Sequence, residues 1–166
     1  MNTKNFKRII GGQFDATIAM LEECVRNCPP KHWRGIIGKY PFWQVAYHTL
    51  YCTDLYTARS DESWKPHAKF HPTGRAEIEG EYPSRMFMKR EILAYLKYCS
   101  KKVRTSLKRE TESTLDGPAG FPWLKKMTRA ELLIYNLRHV AHHSGQLGAF
   151  LRRKRVKTKW AKSGGK

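Results

Sequence analysis

The sequence has little negative charge and no long apolar run. Only 14 of its 166 residues are Asp or Glu, against 32 Lys and Arg, so the formal net charge at pH 7 is +18. No stretch approaches the roughly 18 apolar residues that a transmembrane helix needs, so no membrane span is expected. Residues 1–8 are not followed by the apolar segment of a signal peptide, and we therefore expect a cytoplasmic protein.

Cysteine is also scarce, at four residues: Cys24, Cys28, Cys52 and Cys99. In a chain without an export signal these are expected to be reduced thiols rather than disulfides. The chain length predicts one domain, and a hydrophobic content of 40% argues against a wholly disordered chain.

The positive charge is concentrated in two segments. Residues 85–109 and residues 152–166 each carry a net charge of +8, which leaves only +2 for the rest of the chain. We expect a domain over residues 1–153 and a basic, disordered tail over residues 154–166. Such cations bind nucleic acid or another polyanion by releasing counterions, or they simply solvate the surface. The central cations fall on one helical face: Arg90, Lys97, Lys101, Arg104 and Lys108.

Apolar periodicity predicts four helices, over residues 3–26, 41–59, 84–109 and 128–153. Ser84 is the expected N-cap of the third helix, and Thr128 with Glu131 matches a capping box for the fourth. The second helix is apolar nearly all round and is expected to be buried. The core stripe of the third is Met88, Ile92, Leu96, Cys99, Val103 and Leu107.

Two long connections separate these helices. The loop over residues 60–83 is long enough to run the length of a bundle, which lets the helices on either side lie parallel. The second loop covers residues 110–127. Long loops in compact domains are often functional, so we expect four of their aromatic side chains to wall a binding pocket. These side chains are Trp64, Phe70, Phe121 and Trp123.

Histidines on the fourth helix have the spacing of metal ligands. His139 and His143 lie one turn apart on the inward face, whereas His142 points outward. His48 lies on the buried second helix, where it is either a lone core histidine or a third ligand. Three inward imidazoles predict a site for zinc or nickel that leaves positions open for water or substrate.

Other side chains leave alternatives open. Cys24 and Cys28 are either packing residues or part of a structural zinc site, and Cys52 is either a core residue or an extra ligand. Gln146 either supports the site or is polar surface. Three loop histidines are expected to be solvated, the last two within reach of an open site: His32, His67 and His71.

Residues 46–50 (Ala-Tyr-His-Thr-Leu) and 137–147 (Leu-Arg-His-Val-Ala-His-His-Ser-Gly-Gln-Leu) resemble the DinB-like (DinB/YfiT) superfamily of metal-dependent proteins. The resemblance covers residues 5–153. It implies an all-α four-helix bundle in the up-down-down-up arrangement, with a long crossover between helices 2 and 3. It also implies a metal triad of His48, His139 and His143.

Members of this superfamily with an assigned activity are thiol S-transferases or metal-dependent isomerases, and many are homodimers. The resemblance therefore implies a small-molecule substrate and an enzyme that uses a low-molecular-weight thiol at its metal site. No catalytic base is identifiable in the sequence. The alternative function is a non-enzymatic nucleic-acid-binding protein that uses the central cations and the tail.

Overall fold

The computed structural model describes residues 2–76 and 83–162. It is 64% helical, with one small two-stranded sheet, and the all-α prediction is confirmed. The sheet pairs β1 (Ile36–Ile37) with β2 (Tyr40–Pro41) in antiparallel register. The α-helices of the described residues are α1 Thr3–Asn27, α2 Phe42–Thr57, α3 Lys89–Arg109, α4 Glu112–Asp116 and α5 Arg129–Arg153.

The four long helices pack in pairs around one core. Both α1 and α2 pack against α3 and α5. Between α3 and α2, Cys99 donates to the carbonyl of Leu50 and Ser106 donates to the carbonyl of Thr57. The residue numbers of the two partners therefore increase together along both helices. Helix α1 ends where predicted, because Pro29 and Pro30 lack the amide hydrogens that would continue it. None of the described helices is long and apolar enough to cross a membrane.

Helix α2 is buried on nearly all sides, as predicted. Every residue from Phe42 to Thr57 is buried except His48. Its hydroxyls are satisfied within the helix, since Thr49, Thr53 and Thr57 each donate to the carbonyl four residues earlier, at 2.5–2.7 Å. The remaining polar groups of α2 must therefore find partners on neighbouring elements.

Helix α3 begins five residues later than the sequence predicted. Its first residue is Lys89 and its N-cap is Met88, so the assignment of Ser84 as the N-cap is wrong. The carboxylate of Glu91 accepts from the Met88 amide at 2.8 Å and is itself held by Arg85 at 2.7 Å. A glutamate in the first turn thus supplies the cap that the predicted serine does not.

The predicted core stripe of α3 is confirmed for the five residues from Ile92 to Leu107, but Met88 is 49% exposed. Phe87 takes its place, because its ring stacks on Tyr47 with centroids 4.4 Å apart. The five cations predicted to share one face, from Arg90 to Lys108, are all exposed. One of them, Arg104, donates to Asp15 at 2.9 Å.

Helix α5 has the predicted capping box. The Thr128 amide donates to Glu131 at 2.7 Å, and the Glu131 amide donates to the Thr128 hydroxyl at 3.3 Å. After the helix, the Lys157 carbonyl accepts from Asn27 on α1 at 3.3 Å. The division at residue 153 and the disorder of the tail stay predictions, and residues 163–166 lie outside the described part.

The crossover between α2 and α3 is anchored by a buried histidine. His71 is 1% exposed, so its expected position in solvent is wrong. Its Nε2 lies 3.1 Å from the Asp54 carboxylate of α2 and 2.8 Å from the Tyr95 hydroxyl of α3, and its Nδ1 lies 3.0 Å from the Tyr47 hydroxyl. Residues 77–82 of the predicted loop lie outside the described residues.

Asp54 is the charged centre of this network. Its carboxylate is fully buried, and Lys102 of α3 binds both that carboxylate and the Asp54 carbonyl. Burial by itself raises the pKa of Asp54, but the hydrogen bond from His71 and the charge of Lys102 outweigh it and hold the pKa below its ordinary value. Asp54 is therefore ionised at neutral pH and ties the loop, α2 and α3 together.

Replacing Asp54 with Asn should reveal this charge as a pH-dependent loss of stability. At neutral pH we expect the variant to lose about 3 kcal/mol of unfolding free energy, because Lys102 and His71 lose their anionic partner. Since the folded-state pKa of Asp54 is depressed, the wild-type contribution is complete above the ordinary value of 3.8 and is lost as the pH falls through the folded-state value. Urea unfolding of both proteins at neutral and acid pH measures the difference.

The matched control is Asp15→Asn, since Asp15 pairs with the 61% exposed Arg104 at the surface. It should cost less than about 1 kcal/mol. If the difference in unfolding free energy between Asp54→Asn and wild type stays constant down to about pH 3, the conclusion that Asp54 is ionised in the folded protein is contradicted.

Candidate metal centre

Three histidine side chains converge between α2 and α5. His48 is the one residue of α2 that is not buried. The Nε2 of His139 lies 3.2 Å from the Nε2 of His48 and 3.1 Å from the Nε2 of His143. One ring nitrogen from each residue lies within 4.8 Å of both others, and no other such group occurs in residues 2–76 and 83–162. The structure thus brings together the three histidines that the sequence singled out.

The cluster has the spacing that a metal ion requires. Imidazole nitrogens bind zinc at about 2.0–2.1 Å, which places two ligands of a tetrahedral site about 3.3–3.4 Å apart. The observed separations of 3.1 and 3.2 Å are close to this value. Each side chain is half-buried, so the site also has access to solvent and to a ligand. Three neutral nitrogen donors at this spacing suit a divalent metal ion.

Burial keeps these imidazoles neutral. It lowers the pKa of His48 to about 4, with a further contribution from the neighbouring His143. Burial together with His143 and His48 lowers the pKa of His139 to about 3. The pKa of His143 is also lowered by burial, although a hydrogen bond to Gln146 opposes that shift. Neutral imidazole is the form that binds metal, so the lone pairs are available at physiological pH.

Gln146 orients His143. The Nδ1 of His143 donates to the amide oxygen of Gln146 at 2.8 Å, and the Gln146 amide nitrogen lies 3.1 Å from the Nε2 of His142. A proton on Nδ1 leaves the Nε2 lone pair of His143 facing the cluster. Of the two interpretations open from sequence, the structure favours support of the site. His142 is exposed, as predicted.

His139 lacks such a partner. Its Nδ1 is buried and makes no hydrogen bond within the part of the chain that the structure describes. Packing on α5 and against the two other rings therefore sets its orientation, with ring centroids 5.1 Å from His48 and 4.4 Å from His143.

No cysteine of the described residues belongs to the cluster. The Cys52 thiol lies 3.7 Å from the Nε2 of His48 but does not belong to the group of mutually close ligand atoms. Burial raises the pKa of Cys52 to about 12, so the thiol is protonated. The thiols of Cys24 and Cys28 contact the carbonyls of Ser144 and Pro29, at 3.9 and 3.7 Å. Among the described residues neither cysteine joins a group of three metal ligands.

The four aromatic residues expected to wall the site separate into two groups. Trp64 packs against Tyr51, and Phe70 stacks on Tyr95, so both lie with the crossover. In contrast, Phe121 packs against Tyr56 at 5.3 Å and Trp123 donates to the Tyr56 hydroxyl at 3.3 Å.

Tyr56 lies about two turns after His48, and its ring packs against Tyr135 of α5 with centroids 5.5 Å apart. Phe121 and Trp123 thus lie on the side of α2 that faces α5. Trp123 is 54% exposed, as a residue at the rim of an open site would be.

The helical fold and the three-histidine cluster together fit a metal-binding protein of the DinB type. The family model described as the DinB superfamily matches residues 13–147, and the chain belongs to this superfamily. No curated protein matches the chain.

Sequence reasoning missed two buried polar groups that hold the helices around the site. One is Asp54 with His71. The other is Arg129, which binds Glu110 at 3.0 Å and also the last carbonyls of α2. Asp54 could have been noticed in the sequence, because it is a charged residue inside a strongly apolar helix. Arg129 gave no signal, because the first turn of an amphipathic helix commonly carries a surface arginine.

Replacing Gln146 should weaken metal binding without removing a ligand. We expect Gln146→Ala to lower the affinity for zinc by about 10–100-fold, because His143 loses the acceptor that fixes its tautomer. Gln146→Glu retains an acceptor and should stay close to wild type. Competition with a chromophoric zinc chelator measures all three affinities. Equal affinity of wild type and Gln146→Ala would show that Gln146 is only surface.

Proposed function

We propose that this protein is a metal-dependent enzyme that transfers a low-molecular-weight thiol to a small electrophilic substrate. The observation that carries the proposal is the convergence of three neutral imidazole nitrogens, with separations of 3.1 and 3.2 Å, on two helices of a DinB-superfamily chain. His48, His139 and His143 would hold the metal, with zinc or nickel as the metals that suit three nitrogen donors.

The finer architecture is proposed as a four-helix bundle in the up-down-down-up arrangement. On α2 and α3 the numbers of the contacting residues increase together, from Leu50 with Cys99 to Thr57 with Ser106. This order supports a parallel orientation of the two helices that the crossover joins. Contacts between α1 and α3 run in opposite order, since Lys7 binds the carbonyl of Lys108 while Lys89 binds that of Arg26. Contacts between α2 and α5 also run in opposite order, because His48 contacts His139 whereas Thr53, later in α2, contacts Asn136, which is earlier in α5.

A metal ion held by His48, His139 and His143 would supply Lewis-acid chemistry, which lowers the pKa of a thiol. The chain itself supplies orientation and shielding. Gln146 fixes His143, while Phe121 and Trp123 border the same side of α2. Burial raises the pKa of Cys24 and of Cys28 to about 11 and that of Cys52 to about 12, which favours an external thiol over these cysteines as the nucleophile.

A metal-content experiment tests the site directly. Zinc-loaded, buffer-exchanged wild type should retain about one zinc per chain, and His143→Ala should lose most of it, because two nitrogen donors bind zinc weakly. His142→Ala, which removes an exposed histidine one position away, should retain zinc. Metal analysis by mass spectrometry measures each protein. Equal zinc content in wild type and His143→Ala would remove the basis of the proposal.

Thiol transfer is tested separately from metal binding. Metal-loaded wild type should accelerate conjugation of a mixture of low-molecular-weight thiols to a chromogenic electrophile. The rate should fall to background with a chelator and in His143→Ala, but not in His142→Ala. A metal-loaded protein that shows no conjugation would overturn the thiol activity and leave the metal site intact.

Nucleic-acid binding is the second proposed function, and it would need no metal. It is supported by the exposure of Arg90, Lys97, Lys101 and Lys108 on one face of α3, although Arg104 is partly neutralised by Asp15. The homodimer and the cytoplasmic location stay predictions.

A further inference from the structure

A cavity lies away from the histidines. It has a volume of about 820 Å³ and is formed by the end of α2, the second half of α3 and the start of the crossover. None of the three clustered histidines is among its described lining residues. His48 faces α5, whereas the cavity opens on the α3 side of α2 and about 13 Å further along the helix, at 1.5 Å per residue. The cavity is therefore distinct from the candidate metal centre.

The lining of this cavity is strongly basic. Five cations border it: Arg59, Lys65, Lys101, Lys102 and Arg109. Glu110 is the one carboxylate among the described lining residues, and its side chain is only 1% exposed.

Both oxygens of Glu110 are already engaged. Arg129 binds Oε1 at 3.0 Å, while Arg59 and Thr114 bind Oε2 at 2.9 and 2.8 Å. Arg129 also binds the carbonyls of residues 56–58, so it satisfies the negatively polarised end of α2 beneath the cavity. The Glu110 carboxylate and the carbonyl end of α2 are therefore not available to neutralise the remaining cations of the cavity.

Three of the cations have no ion-pair partner in residues 2–76 and 83–162. They are Lys65, Lys101 and Arg109, all exposed at the cavity. Lys102 is committed to Asp54, and Arg59 is shared with Glu110 but is itself 56% exposed. Unpaired like charges around one concavity repel one another, and an anion bound among them relieves that repulsion.

We propose that this cavity binds a phosphate-bearing small molecule, with Lys101 and Arg109 as its main contacts. Arginine offers a planar pair of donors that matches two phosphate oxygens, and lysine adds a point charge. The volume lies within the range of small-molecule sites, and the half-buried ring of Tyr98 borders the same space. The concave shape and the contribution of the crossover favour a small anion over a long polymer. The proposal is independent of the metal site.

Inorganic pyrophosphate is the probe that tests this inference. Isothermal titration at low ionic strength should show one pyrophosphate bound per wild-type chain. In the double variant Lys101→Gln, Arg109→Gln we expect the affinity to fall by about tenfold or more, because two charged hydrogen-bond donors are removed. Circular dichroism should show an unchanged fold, since both side chains are exposed.

The matched control is Lys31→Gln, Arg153→Gln, which removes the same charge from exposed residues near the other end of α2 and at the far end of α5. It should stay within about twofold of wild type, because neither side chain borders the cavity. Equal losses in both double variants would show diffuse attraction and overturn the proposal. Absence of pyrophosphate binding would also overturn it, as would tight binding of a DNA duplex that pyrophosphate does not compete away.

Discussion

Burial of α2 is the constraint on which the rest of the structure depends. A helix surrounded by other elements leaves few of its polar groups to solvent, so most of them must find a partner inside the protein. Its threonines are satisfied within the helix, and three other sets of polar groups reach outward. His48 reaches α5, Asp54 reaches α3 and the crossover, and the last carbonyls reach Arg129. These contacts hold the remaining helices in place around α2.

The same constraint separates the two candidate sites. The face of α2 toward α5 carries neutral, half-buried imidazoles, which suit a cation. The end of α2 toward α3 is bordered by unpaired cations, which suit an anion. Arg129 and Glu110 lie between the end of α2 and the start of α5, where their buried ion pair satisfies both partners. The cations that line this cavity thus lie apart from the histidine cluster, whose imidazoles stay neutral.

Much of this arrangement could be predicted from the sequence, because it follows from local patterns. Helical periodicity located the four long helices, the Thr128–Glu131 capping box fixed the start of α5, and the His139–His143 spacing identified two of the three clustered histidines. What could not be predicted depends on contacts between distant segments. The burial of His71 requires Asp54 and Tyr95 from two different helices. The late start of α3 depends on Glu91 and on the stacking of Phe87 against Tyr47.

The basic lining of the cavity also depends on contacts between distant segments of the chain. Lys101 belongs to a stripe visible in the sequence, but Arg59 and Lys65 come from the chain after α2, and only the fold brings them together. Charge counts along the sequence therefore located the basic surface without revealing its concave part.

X-ray absorption spectroscopy at the zinc edge of the zinc-loaded protein tests the central claim most directly. The account predicts three imidazole nitrogens at about 2.0–2.1 Å, with the remaining positions taken by oxygen from solvent. A sulfur ligand at about 2.3 Å would contradict it, because Cys52 would then belong to the site. Zinc without the imidazole pattern would place the metal elsewhere on the protein.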